Sequence, residues 1–169
     1  MNQNIKNLIK KGFSLTELLI SVALIMILSI VIFSNFYKRR NITNLRSTTT
    51  QIAAILMEAR NRSIAQEKDS YWGVYFENPT SSKPSFSLFY TSDSNFATSS
   101  FKYIKKYFLT DFVYYNTSTI PLGGNLIIVF NKVSGLPISV STIYLDLKQG
   151  NITIASSSIN INSVGTIIY

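Results

Sequence analysis

Polar and apolar positions along the chain follow three different rhythms. From Leu18 to Phe33 only Ser21 and Ser29 are polar, and no residue is charged. Phe13 through Tyr37 makes 25 mostly apolar residues, long enough to cross roughly 30 Å of hydrocarbon as a tilted helix. Ile42, Leu45, Thr49, Ile52, Leu56, Ala59 and Ser63 then recur at steps of three and four, which predicts one buried face of a helix over 38–67. Arg39, Arg46, Glu58, Arg62 and Glu67 fall largely off that face. No Pro or Gly interrupts the chain from Phe13 to Gln66, so one helix of roughly 80 Å is expected. Its first half must face lipid or other helices, and its second half needs a sheet to cover it.

Beyond Lys68 the period drops to two. Trp72, Val74 and Phe76 alternate with Tyr71, Gly73 and Tyr75, and Phe86, Leu88 and Tyr90 alternate again after a loop at 78–84. The Ser/Thr/Asn/Asp-rich stretch 91–100 reads as an exposed loop. Leu126–Phe130 is apolar on both faces and predicts a central strand, while Ile143, Leu145 and Leu147 alternate with polar neighbours. Gln149-Gly150-Asn151 predicts a hairpin turn into Ile152–Ile154. Ser156 to Asn162 is polar with interspersed Ile, and 164–169 predicts a last strand. The expected fold class is therefore α+β: a long N-terminal helix, half of it transmembrane, packed on an antiparallel sheet.

Composition narrows the chemistry. Of 169 residues, about 130 follow the apolar stretch, enough for one domain with its own core. There is no Cys and no His, so disulfides, thiolates and the usual general base are absent. Of eight carboxylates, only Glu67 and Asp69 stand at a ligand-like spacing, and they read as a helix end rather than a metal site. No phosphate-cradling glycine loop and no supported Ser-x-x-Lys pattern occurs. No cofactor and no metal is expected, and the chain reads as a non-enzyme; a signal-anchored membrane enzyme with a cryptic site is the weakest alternative. A net charge of +8 favours anionic partners, whether DNA, phospholipid head groups or acidic polymers.

The N-terminal stretch carries the most specific signal. Lys6, Lys10 and Lys11 precede the apolar run, but its exit, Ile32 to Arg40, holds no small-x-small cleavage site. The small residue placed like a cutting point is Gly12, ahead of the run. Glu17 sits inside the leading edge, where a carboxylate at bilayer depth costs on the order of 2.5 kcal/mol or more. A plain anchor would not carry it, so Glu17 asks for a partner. Three cations before the helix and Lys38, Arg39 and Arg40 after it leave the positive-inside rule without a vote.

Lys10-Lys11-Gly12-Phe13-Ser14-Leu15-Thr16-Glu17-Leu18-Leu19 followed by an apolar helix resembles the class III signal of type IV prepilins and pseudopilins. The resemblance implies cleavage by a prepilin peptidase after Gly12 and N-methylation of Phe13. It also implies pairing of Glu17 with the Phe13 amine of a neighbouring subunit. It divides the chain into a cytoplasmic leader (1–12), a transmembrane and filament-core helix (13–37) and a pilin-like globular domain (38–169). That domain would hold the amphipathic half of the helix (about 38–67) and the sheet region (about 70–169). The expected location is a single pass through the inner membrane with an extracytoplasmic C-terminal domain, incorporated into a pilus or pseudopilus. The expected partners are other subunits, the peptidase, the inner-membrane assembly platform and membrane lipid. Many type IV pilins bend the helix with a late Pro; Ser34 stands near that position, so a less kinked helix is expected.

Ala59-Arg60-Asn61-Arg62-Ser63-Ile64-Ala65, an apolar strand ending in Phe130 with Gly135 behind it, and a terminal Gly-then-strand ending further resemble H-type minor pseudopilins of type II secretion and FimT-like minor pilins. This implies a minor subunit. The alternative on the same scaffold is a DNA-binding minor pilin for DNA uptake. Phe101-Lys102-Tyr103-Ile104-Lys105-Lys106-Tyr107-Phe108 mixes cations with aromatics, so Lys102, Lys105, Lys106 and Lys132 are the candidate DNA contacts. The competing reading is a sheet edge whose lysines repel other strands.

Overall fold

A computed structural model describes residues 14–169 and, over 31–38, the backbone alone. One helix, α1 (Leu15–Ile64), precedes eight strands: β1 (Tyr71–Glu77), β2 (Ser85–Thr91), β3 (Lys102–Phe108), β4 (Val113–Tyr115), β5 (Asn125–Phe130), β6 (Ser141–Gln149), β7 (Ile152–Ile161) and β8 (Ile167–Ile168). The backbone is helical through position 34. The chain divides into two compact units between Arg39 and Arg40.

In the C-terminal unit the fold is α+β, as expected. The strands form two antiparallel four-stranded sheets, β3-β2-β1-β5 and β4-β6-β7-β8. The steps of three and four on α1 are what bury it. Leu45, Thr49, Ile52, Leu56, Ala59 and Ser63 are all buried, joined by Thr48, Ala53 and Ile55. Leu45, Ile52, Ala53, Ile55, Leu56 and Ala59 share one apolar cluster with Trp72, Val74, Phe76, Phe86 and Leu88 of the first sheet and Val113, Tyr115, Ile143, Leu145 and Ile159 of the second. The Tyr115 hydroxyl donates to the Ser85 carbonyl at 3.0 Å, tying β4 to β2 and one sheet to the other.

A second, smaller cluster lies on the far face of the first sheet, built from Phe89, Phe101 and Val129. Its existence corrects one expectation. β5 is apolar on both faces, yet it stands at the edge of its sheet, paired in register with β1. Ile128 and Phe130 feed the main cluster while Val129 feeds the second one, so double-sided burial arises without a central position. Beyond β5, Ile138 donates its N–H to the Val129 carbonyl at 2.9 Å, and Phe130 bridges to Pro137.

Other departures have local causes. α1 stops at Ile64, short of the expected 67, because Gln66 turns left-handed and Glu67–Asp69 forms a single 3-10 turn. β7 runs on through the serine-rich stretch to Ile161, since Ile159 and Ile161 are buried opposite Ile143 and Ser141 of β6. β4 is three residues long, too short for its alternation to stand out.

Candidate functional site

The apolar half of α1 is the first candidate. From Leu15 to Ile30 large apolar side chains face outward on every side of the helix, among them Leu19, Ile20, Ile25, Ile27 and Leu28, each about 60% exposed. A helix apolar all round has no stable place in water and must be covered by lipid or by other helices. Ser21 and Ser29, the polar interruptions, donate their hydroxyls to the Glu17 and Ile25 carbonyls, 2.8 and 2.7 Å away, so neither leaves a polar proton unmet. Among the described residues no helix is long and apolar enough to cross a membrane. The predicted span of 13–37 extends past the described side chains at both ends.

Glu17 lies in the first turn of α1, where a carboxylate complements the positive end of the helix dipole. Its side chain is exposed. Among the described residues it makes no ion pair; the ion pairs found join Arg62 to Glu58 and Glu67, Lys83 to Asp111, Lys106 to Glu77 and Lys132 to Asp69. Gly12, Phe13 and the leader 1–12 lie outside the described residues.

The four candidate lysines do not form one patch. They fall on two faces of the first sheet, and a bulge in β3 decides which face Lys102 shares. Lys102 opposes Tyr90 and Lys105 opposes Leu88, with Ile104 as the extra residue between Tyr103 and Lys105. Tyr90 and Leu88 belong to the helix-side face, so Lys102 and Lys105 share that side. Lys106 opposes Ser87 and lies on the far face, where its ammonium meets Glu77 at 2.6 Å. Lys132 also belongs to the far face, over Tyr71 at 5.1 Å and 2.9 Å from the Asp69 carboxylate. The two far-face lysines are thus neutralised by carboxylates. The two helix-side lysines meet aromatic rings instead: Lys102 lies 5.9 Å from the Tyr90 centroid and Lys105 lies 4.9 Å from that of Tyr107. β3 is an edge strand of its sheet, as the lysine-protected reading expects.

Sequence reasoning missed Lys68. It sits in the turn after α1 with its ammonium 4.1 Å from the Tyr90 centroid and 5.9 Å from that of Trp72. Only its place after the end of a helix could have singled it out. Glu67 and Asp69 do not converge: Glu67 pairs with Arg62, and Asp69 with Lys132. Among the described residues no group of three potential metal ligands occurs.

The H-type resemblance rested on three separated stretches, and these meet at the end of α1. Arg60 Nε donates to the Gly135 carbonyl at 3.2 Å, and Ser63 Oγ donates to the Phe130 carbonyl at 2.8 Å. A Cβ at Gly165 would stand 2.9 Å from the Gly135 carbonyl oxygen and 3.0 Å from Arg60 Nε. No curated protein and no solved structure matches the chain. Residues 9–33 match a family model described as the prokaryotic N-terminal methylation motif. The stretch thus contains Gly12, Phe13 and Glu17, and the chain carries a type IV prepilin-like N-terminus.

Proposed function

We propose that the protein is a structural subunit of a type IV pilus or a type II secretion pseudopilus, and a minor one. The observation that carries this reading is the coincidence, within residues 9–33, of the methylation motif with a helix apolar on every side and a carboxylate in its first turn. In this reading the prepilin inserts once into the inner membrane by residues 13–37, with the leader 1–12 on the cytoplasmic side. A prepilin peptidase cuts the Gly12–Phe13 bond and methylates the new Phe13 amine. An assembly platform then moves the helix from lipid into a bundle of like helices. Both environments are apolar, so the transfer keeps the aliphatic surface covered and changes mainly what Glu17 meets.

Glu17 supplies the register. In a bundle an unpaired carboxylate is costly, and the Phe13 amine of an adjoining subunit is a cation at the matching depth. A sliding error would separate the two charges. The minor role draws on the H-type and FimT-like resemblance, whose three stretches converge on Arg60, Ser63 and Gly135. The DNA-uptake alternative is weakened, because Lys106 and Lys132 are paired to carboxylates within the chain.

Co-expression with a prepilin peptidase followed by intact-mass and N-terminal analysis tests the reading. The expected product begins at N-methylated Phe13. A chain that keeps residues 1–12 under conditions where a known prepilin is cut overturns it.

A further inference from the structure

We propose that the hollow between the turn after α1 and the β2–β3 edge binds a phosphate group, held by Lys68 and Lys102, which line it together with Tyr90. The hollow measures about 300 Å³. Both ammonium groups address the same ring, at 4.1 and 5.9 Å from its centroid. Among the described residues neither makes an ion pair, whereas Lys83, Lys106 and Lys132 each meet a carboxylate. Two like charges gathered at one ring repel each other, and an anion lodged between them turns that repulsion into attraction.

The backbone supplies a second, independent observation. Lys68 has φ +60°, and its neighbours Gln66 and Asp69 have φ +52° and +47°. Three left-handed non-glycine residues within four positions are a local strain, and strain of this kind gathers at ligand clamps. The same turn carries Lys68, whose ammonium lies 4.1 Å from the Tyr90 centroid. The turn is held in place by the Ser70 hydroxyl donating to the Lys68 carbonyl at 2.9 Å and by Lys132 gripping Asp69.

The donor set selects the ligand class. Two ammonium groups act as point charges with three donors each, which suits a tetrahedral, multiply charged oxyanion; a planar carboxylate is better matched by the fork of an arginine. Base stacking is not offered at this ring, because Tyr90 lies against Trp72 at 5.2 Å and carries Lys68 at 4.1 Å. The site therefore reads phosphate, whether free, as a monoester, or within a phosphodiester chain. It does not depend on the assembly reading above, since it needs neither processing nor a filament.

The test uses the full chain in an uncharged, phosphate-free maltoside detergent at low ionic strength, followed by amide NMR. Inorganic phosphate should shift the Ser70, Thr91 and Lys102 amides in a saturable manner, and acetate should not. Lys68→Gln with Lys102→Gln should weaken binding about tenfold or more, as loss of charge-assisted hydrogen bonds implies. Lys83→Gln with Lys106→Gln, both outside the hollow and in exposed ion pairs, should leave it within about twofold. A short oligothymidylate without terminal phosphates supplies the second arm. If it shifts the same amides, the site accepts a phosphodiester; if only inorganic phosphate does, it takes a free or terminal phosphate. No saturable shift with either probe, equal response to acetate, or equal loss in both double variants overturns the proposal.

Discussion

The Ser63 hydroxyl donates to the carbonyl of Phe130 across 2.8 Å of fully buried space, joining the last turn of α1 to the last residue of β5. The two residues are 67 positions apart, and β5 is an edge strand. The bond is therefore one of the ties that hold the outermost strand of the first sheet to the helix. Ser63→Ala should destabilise the fold by about 1–2 kcal/mol, because a buried acceptor loses its side-chain donor. Urea unfolding with an unchanged m-value checks it; a variant as stable as the parent would show that the Phe130 carbonyl is otherwise satisfied.

Gly73 and Phe89 are cross-strand partners, and the Phe89 ring lies over the glycine. A Cβ at position 73 would run into the Ile128 carbonyl oxygen and stand 2.9 Å from the ring. Phe89 also stacks on Phe101 with centroids 3.8 Å apart, so the ring has little room to yield. Gly73→Ala should cost about 1–3 kcal/mol by overpacking, read as a lower thermal midpoint.

Val133 has φ +68° in the turn after β5 and is 63% exposed. A β-branched residue is strained there, and its side chain gains little from burial. Val133→Asn should stabilise the protein by about 0.5–1 kcal/mol, since Asn tolerates the left-handed region. A lower unfolding midpoint for the variant would mean that Val133 makes apolar contacts that outweigh the strain.

Tyr115 is buried, and burial, with the Glu77 charge adding, pushes its phenol well above the ordinary range. Burial is also the main cause of the upward shifts at Tyr75 and Tyr103. The folded state holds these protons more tightly than the unfolded chain. Their contribution to stability is therefore whole below about pH 10, the value for a free tyrosine, and is lost as the pH climbs from there through the raised folded values. Denaturant midpoints measured from about pH 9 to 11 should fall. Tyr115→Phe should be less stable near neutrality, having lost its bond to Ser85, yet fall less steeply with pH.

Glu17→Leu should insert into membranes at least as well as the parent, because it removes a charge from the apolar segment. Its recovery in sheared filaments or in co-purified subunit complexes should drop by about tenfold or more, the scale of a buried pair left half-made. Equal recovery of variant and parent would remove Glu17 from assembly.

Much of this was legible in the chain, and the exceptions share a cause. The buried face of α1 could be read because the residues recurring at steps of three and four from Leu45 to Ser63 are all buried. β1, β2 and β6 could be read from their alternation. The edge position of β5 could not, since apolarity on both faces reports burial and says nothing about how many strands pair with it. The start of β7 at Ile152–Ile154 could be read, but its serines hid the continuation for the converse reason: the polar positions there outnumber Ile159 and Ile161, which anchor it. The basic-aromatic stretch 101–108 showed its residue types but not its sidedness. Ion pairing between Lys106 of β3 and Glu77 of β1 reaches across the intervening β2 and joins residues 29 positions apart. Lys68 and Lys102 meet at Tyr90 only once the helix has ended and the sheet has formed.

The supernumerary residue at Ile104 acts as a phase shifter. Lysines three positions apart would straddle a regular ribbon, and here they land on the same flank. Inserting or deleting a single residue between Lys102 and Lys105 would leave the composition of the strand almost untouched while parting Lys102 from the flank it shares with Lys105. In relatives, the conserved quantity to look for in this stretch is parity with respect to the bulge, and a mere tally of lysines would miss it.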